Sequence, residues 1–103
     1  MRAFPFIEID EAKAHAAAGG QALHLHRVVF DDSPRCFRQA VERGEDIAHL
    51  FDQDLDRLRR TARRLGVRVI VVEHTGTPRQ HVDLCGGPLR KALAECVPAE
   101  CGP

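Results

Sequence analysis

The chain has 103 residues, enough for one modest hydrophobic core and too few for two independent domains. Lys plus Arg and Asp plus Glu number 15 each, so no net field draws the protein to nucleic acid or to an anionic membrane, and a charged partner must be met by a local patch. No apolar stretch approaches the roughly 20 residues of a membrane span and no leader pattern is seen, which sets the expectation of a cytoplasmic protein with no membrane partner.

Taken in order, residues 3–9 read as a short strand interrupted by Pro5 and therefore as a sheet edge. Asp10 suits the N-cap of a helix over residues 11–18 that Gly19 and Gly20 stop. Residues 22–30 alternate as a strand does, with Leu23, Leu25 and Val29 on one face and His24, His26, Val28 and Phe30 on the other. The paired histidines can ligate a metal, although an exposed sheet face accounts for them more simply. Asp31, Asp32, Ser33 and Pro34 then form a cap and start for a helix over residues 34–43.

The clearest helix spans residues 53–65, where Leu55, Leu58, Ala62 and Leu65 recur at helical spacing and Gly66 supplies the stop. Asp52, Asp54 and Asp56 at its start and Arg63 and Arg64 at its end complement the helix dipole. His49 stands just ahead of it, placed to cap, pack or reach a site. Residues 67–72 are nearly all apolar and β-branched, the pattern of a strand buried on both faces, and are expected at the sheet centre. Residues 81–84 read as a further strand and residues 88–96 as a last helix. The expected fold is a small single α/β domain over residues 1–95, with a sheet of about 3–4 strands, at least partly parallel and flanked by helices, and residues 96–103 as a tail.

Parallel pairing of residues 22–30 with 67–72 would set the carboxyl ends of both strands on one edge, where ligands of open α/β sheets bind. Asp31, Asp32, Glu73 and His74 are then expected as neighbours. Asp31 and Asp32, with Asp83, offer hard oxygen ligands for a divalent metal, although the first two also suit a simple helix cap. His74, His81 and Asp83 flank a loop dense in polar side chains, in which one imidazole can move a proton while Asp83 orients it or joins the ligands. Arg79 and Arg90 are candidates to pair with an anion, and His49 to join the ligand site.

The four cysteines, at 36, 85, 96 and 101, form no paired zinc grid and read as free thiols in a reducing compartment; Cys96 and Cys101 would close a small disulfide only in an exported protein. Cys85, ahead of Gly86, Gly87 and a helix start, sits where backbone N–H groups stabilise a thiolate.

The order of several landmarks resembles a small, functionally uncharacterised bacterial and phage family. Val28 to Asp32 look like its strand ending in an acidic pair, His49 and Leu50 like its His-Leu before an amphipathic helix, and His81, Val82 and Asp83 like its His-Tyr-Asp signature. Arg90, Lys91 and Ala92 lie near its basic residues, while Val82 departs from the aromatic of the signature and the loop over residues 73–80 is longer and more polar. The resemblance implies no activity, but it groups Asp31, Asp32, His49, His81 and Asp83.

Together these readings point to a divalent metal assisting a reaction on a phosphorylated or nucleotide-like small molecule. In this reading Asp31, Asp32 and Asp83 hold the metal, and His81 or His74 moves a proton. A non-catalytic regulatory module acting as a homo-oligomer is the alternative, and thiol chemistry at Cys85 a further one.

Overall fold

The computed structural model describes residues 1–26 and 47–96; Asp31, Asp32, Cys36, Cys101 and the expected helix over residues 34–43 lie outside them. Four strands make one mixed sheet in the order β1 (Arg2–Phe4), β2 (Ala22–His26), β3 (Ile47–Phe51) and β4 (His81–Leu84). β1 runs parallel to β2 across helix α1 (Ile9–Ala17), whereas β2–β3 and β3–β4 are antiparallel. Helices α2 (Leu55–Arg64) and α3 (Gly86–Glu95) complete the described elements and the α/β class expected of the sequence.

Alternation along the strands sorts the side chains between two unlike faces. Leu23, Ala48, Leu50, Val82 and Leu84 face α2 and α3 and form the main core with Leu58, Ala62, Leu65, Leu89, Ala92 and Cys96. Leu58 and Ala62 come from the helical stripe seen in the sequence, and Asp54 caps that helix by accepting a hydrogen bond from the Arg57 amide. Gly66, at φ +97°, closes it in the left-handed conformation. On the other face α1 buries Ala12 and Ala16 against Phe4, Ala22 and Phe51 in a smaller cluster. The rest of that face carries His24, His49, His81 and Asp83.

Several expectations are corrected. The first strand ends at Phe4, because Pro5 cannot donate to a ladder, and Phe6–Glu8 coil into a 3-10 turn. Helix α1 begins at Ile9, ahead of Asp10, with no side-chain cap. Residues 67–72 form no strand: β2 and β3 occupy the sheet centre, and Val69 and Val71 are 79% and 59% exposed. Only Val67, Ile70 and Val72 lean on the core, from a segment that connects Gly66 to Glu73. The neighbours of β2 are accordingly β1 and β3, and the parallel pair that would have set a ligand edge does not form. His49 lies within a strand rather than at a helix start, and His24, 1% exposed, faces inward and not to solvent.

Asp52, at the end of β3, is wholly buried and ties separate segments together. Its carboxylate accepts from Arg57 Nε and Nη2 at 2.8 and 2.7 Å, from the Asp54 amide at 2.9 Å and from Gln21 Nε2 at 2.9 Å. Arg57 Nη2 also donates to the Gly19 carbonyl at 2.9 Å, and Gln80 Nε2 donates to the Asp52 carbonyl at 2.8 Å. Burial alone would raise the Asp52 pKa, but these hydrogen bonds and the Arg57 charge outweigh it and hold the carboxyl below its ordinary 3.8.

Arg57→Ala leaves this carboxylate buried without its cation, and we expect a loss of about 3 kcal/mol, because Arg57 is itself partly solvated. In thermal melts this should lower Tm by about 10 °C or more. Asp52 contributes stability that is whole above pH 3.8 and is lost as pH falls through the lower folded-state value. The Tm gap between wild type and Asp52→Asn should therefore narrow in strong acid; a gap that does not change with pH would refute the charged pairing.

Candidate metal site

The histidine-bearing face is set by pairing register. His24, His49 and Asp83 are consecutive cross-strand partners on β2, β3 and β4, and Phe51 pairs with His81 in the next row. Directly opposed residues share a face, so this register brings His49 and Asp83 together, while the period of two along β4 adds His81.

Asp83 Oδ1 lies 2.7 Å from His49 Nδ1 and 3.3 Å from His81 Nε2. One ligand atom from each of the three residues lies within 4.8 Å of the others, a group that could hold a metal ion. Ligands about 2.1 Å from one ion stand about 3.0 to 3.4 Å apart; the His81–Asp83 separation of 3.3 Å falls in that range and the His49–Asp83 separation of 2.7 Å is shorter. Despite its proximity, Asp83 Oδ1 accepts no in-line hydrogen bond among the described residues.

His81 is held in a fixed orientation. Its Nδ1 approaches the Arg79 carbonyl at 2.7 Å, which makes Nδ1–H the donor and leaves the Nε2 lone pair facing Asp83. Anchoring of the remote ring nitrogen on a carbonyl is the usual support of a metal-bound histidine. The His49 and His81 rings meet edge to face at 4.7 Å, and His24 stacks on His49 at 5.8 Å. His24 Nε2 in turn donates to the Phe6 carbonyl at 2.8 Å.

Electrostatics differ across this row. Burial lowers the His24 pKa, against the Phe6 hydrogen bond and with help from nearby His49 and Lys13. Burial also opposes charge on His81, but contacts with Asp83, the Arg79 carbonyl and Glu73 prevail and raise its pKa above 6.5. Asp83 is penalised by burial as well, yet the adjacent His49 and His81 imidazoles bring it down to about 2.

Among the residues singled out from sequence, His49, His81 and Asp83 converge. The place where they do so is corrected: it is the face of the β3–β4 pair, not a strand-end edge. Glu73 stands beside them, whereas His74, at φ +54°, presents its ring 5.7 Å from that of His81 at the start of the loop. Arg79 is exposed and makes no ion pair among the described residues. Arg90 belongs to α3, on the opposite side of the sheet, so it does not line this site. Cys85 is the partly buried N-cap of α3, which begins at Gly86, two residues ahead of the expected start at Pro88. Asp52 and Gln80 were missed as determinants. Asp52 carries only the signal of an acidic helix start, and Gln80 only its polarity at the end of the turn-rich loop, which it pins by accepting from the Gly76 N–H at 2.8 Å on Oε1 and donating from Nε2 to the Asp52 carbonyl.

No protein-family model, curated protein or solved structure matches this chain, so the reading of the site rests on its own residues.

In metal-free protein His81 should titrate above 6.5, and Asp83→Asn should lower that value, as read from imidazole proton shifts. A raised folded-state pKa stabilises the fold below 6.5, and the contribution is lost as pH rises through it. Asp83→Asn should accordingly cost more in Tm at about pH 6 than at about pH 9. An unaltered His81 titration in that variant contradicts the pairing.

Proposed function

We propose that the protein binds one divalent transition-metal ion through His49, His81 and Asp83 and uses it for chemistry on a phosphorylated or nucleotide-like small molecule. The observation that carries the reading is the convergence of ligand atoms from His49, His81 and Asp83 within 4.8 Å of one another, with Nδ1 of His81 held by a backbone carbonyl. Two imidazoles and one carboxylate suit zinc, iron(II) or manganese better than magnesium or calcium, which favour oxygen throughout. This shifts the expected all-aspartate set of Asp31, Asp32 and Asp83 toward nitrogen donors, with Asp83 common to both.

Three protein ligands leave room for water or a substrate oxygen, and a bound ion there would polarise a phosphoryl oxygen or lower the pKa of a bound water. Arg79 supports the anionic substrate class. Its carbonyl orients His81, so its backbone is fixed beside the site, and its guanidinium makes no ion pair among the described residues.

The test is metal titration of the purified protein with zinc, manganese and cobalt, followed by calorimetry and thermal shift. One equivalent should bind and raise Tm, and His49→Ala, His81→Ala and Asp83→Ala should each abolish the effect. Because His81 holds its proton above pH 6.5, affinity should fall as pH drops through that region. Against phosphoester substrates, Arg79→Ala should raise KM more than it lowers kcat. Absence of binding by all three ions sinks the proposal.

A further inference from the structure

Glu73 lies on the connection into the polar loop, outside the three-residue group, yet it is fixed against that group by backbone. Its N–H donates to the His81 carbonyl at 2.9 Å and its carbonyl accepts from the His81 N–H at 3.1 Å, a single antiparallel bridge. Residues that exchange both hydrogen bonds stand directly opposite and project side chains to the same face. The Glu73 carboxylate therefore emerges on the side of the sheet that bears His81, and its Oε2 lies 3.3 Å from His81 Nε2.

That separation equals the one between His81 Nε2 and Asp83 Oδ1. His81 Nε2 is thus flanked by two carboxylate oxygens at about the edge length of a tetrahedron built around an ion with bonds of about 2.1 Å. Its proton-bearing nitrogen is committed to Arg79, and Nε2 meets neither oxygen with hydrogen-bond geometry. Two carboxylate oxygens gathered at equal distance on one imidazole nitrogen are an arrangement that a bound cation would satisfy.

Building on the metal reading above, we propose that Glu73 is the fourth protein ligand of the ion held by His49, His81 and Asp83. The three are seated on strands, whereas Glu73 enters from the loop with its side chain 44% exposed. It is consequently the ligand able to leave for a substrate oxygen without disturbing the sheet. Its bond to the metal would also draw the first residue of the loop toward β4, extending through metal the tether that Gln80 supplies at the loop's far end.

Cobalt(II) titration of the full chain distinguishes the outcomes. Wild type should give the intense visible bands of four-coordinate cobalt. Glu73→Ala should bind at least about tenfold more weakly, with weaker bands marking replacement of the carboxylate by water. Glu73→Gln, which keeps the size and the backbone bridge, should weaken binding in the same direction, and circular dichroism should show both variants folded. Unchanged affinity and spectrum in Glu73→Ala overturn the role of Glu73 while leaving the three-residue site intact. Failure of wild type to bind cobalt overturns both readings at once.

Discussion

The fold depends on a carboxylate that has no access to water. Asp52 ends a central strand, and its burial is tolerable only because Arg57, Gln21 and the Asp54 amide together satisfy it. The partners come from the start of α2 and from the turn before β2, so satisfying one charge fixes both of these and, through the Asp52 carbonyl and Gln80, the polar loop before β4. A neutral apolar residue at position 52 could fill the space, but it would dictate none of these geometries. Buried ion pairs contribute less to stability than to orientation when the alternative is a well-packed core, and here the orientation extends to the loop that opens at Glu73.

The sheet is asymmetric in a way that separates stability from chemistry. The face under α2 and α3 is apolar without interruption, and its burial supplies the main driving force for folding. The opposite face is covered by α1 only around Phe4, Ala22 and Phe51, and beyond that cover the same strands present imidazoles and a carboxylate. Backbone pairing across β2, β3 and β4 sets the spacing of these groups with little dependence on their chemistry. Ligands carried on paired strands cost little conformational entropy to align, since their backbone is already fixed by the ladder.

What was legible in the sequence follows from how local each signal is. The stripe of α2, its Gly66 stop and the β4 segment are local patterns, and they appear where expected. β3 was not legible because it is central: Ile47, Ala48, Leu50 and Phe51 are all buried, so alternation vanishes and five residues look like a prelude to the helix. Residues 67–72 erred in the other direction. Their β-branched run carries the strongest strand propensity in the chain, yet sheet membership also requires a partner edge, and the central places are taken by β2 and β3. Without a strand there, the parallel pair with β2 and its ligand edge do not form.

The candidate site is built by strand register. Its residue types, His49, His81 and Asp83, could be named from sequence, but the reason they meet is a register between two antiparallel strands, one of which was not visible. His81 and Asp83 are spaced by two, the one spacing at which a strand sets neighbours on the same face, whereas a helix would splay them apart. Once β4 is a strand, the question reduces to which residue its partner places opposite Asp83, and the answer is His49. The charge balance then follows from burial: a carboxylate this deep stays ionised only if a cation sits beside it, and the neighbouring imidazoles accept either a proton or a metal in that position.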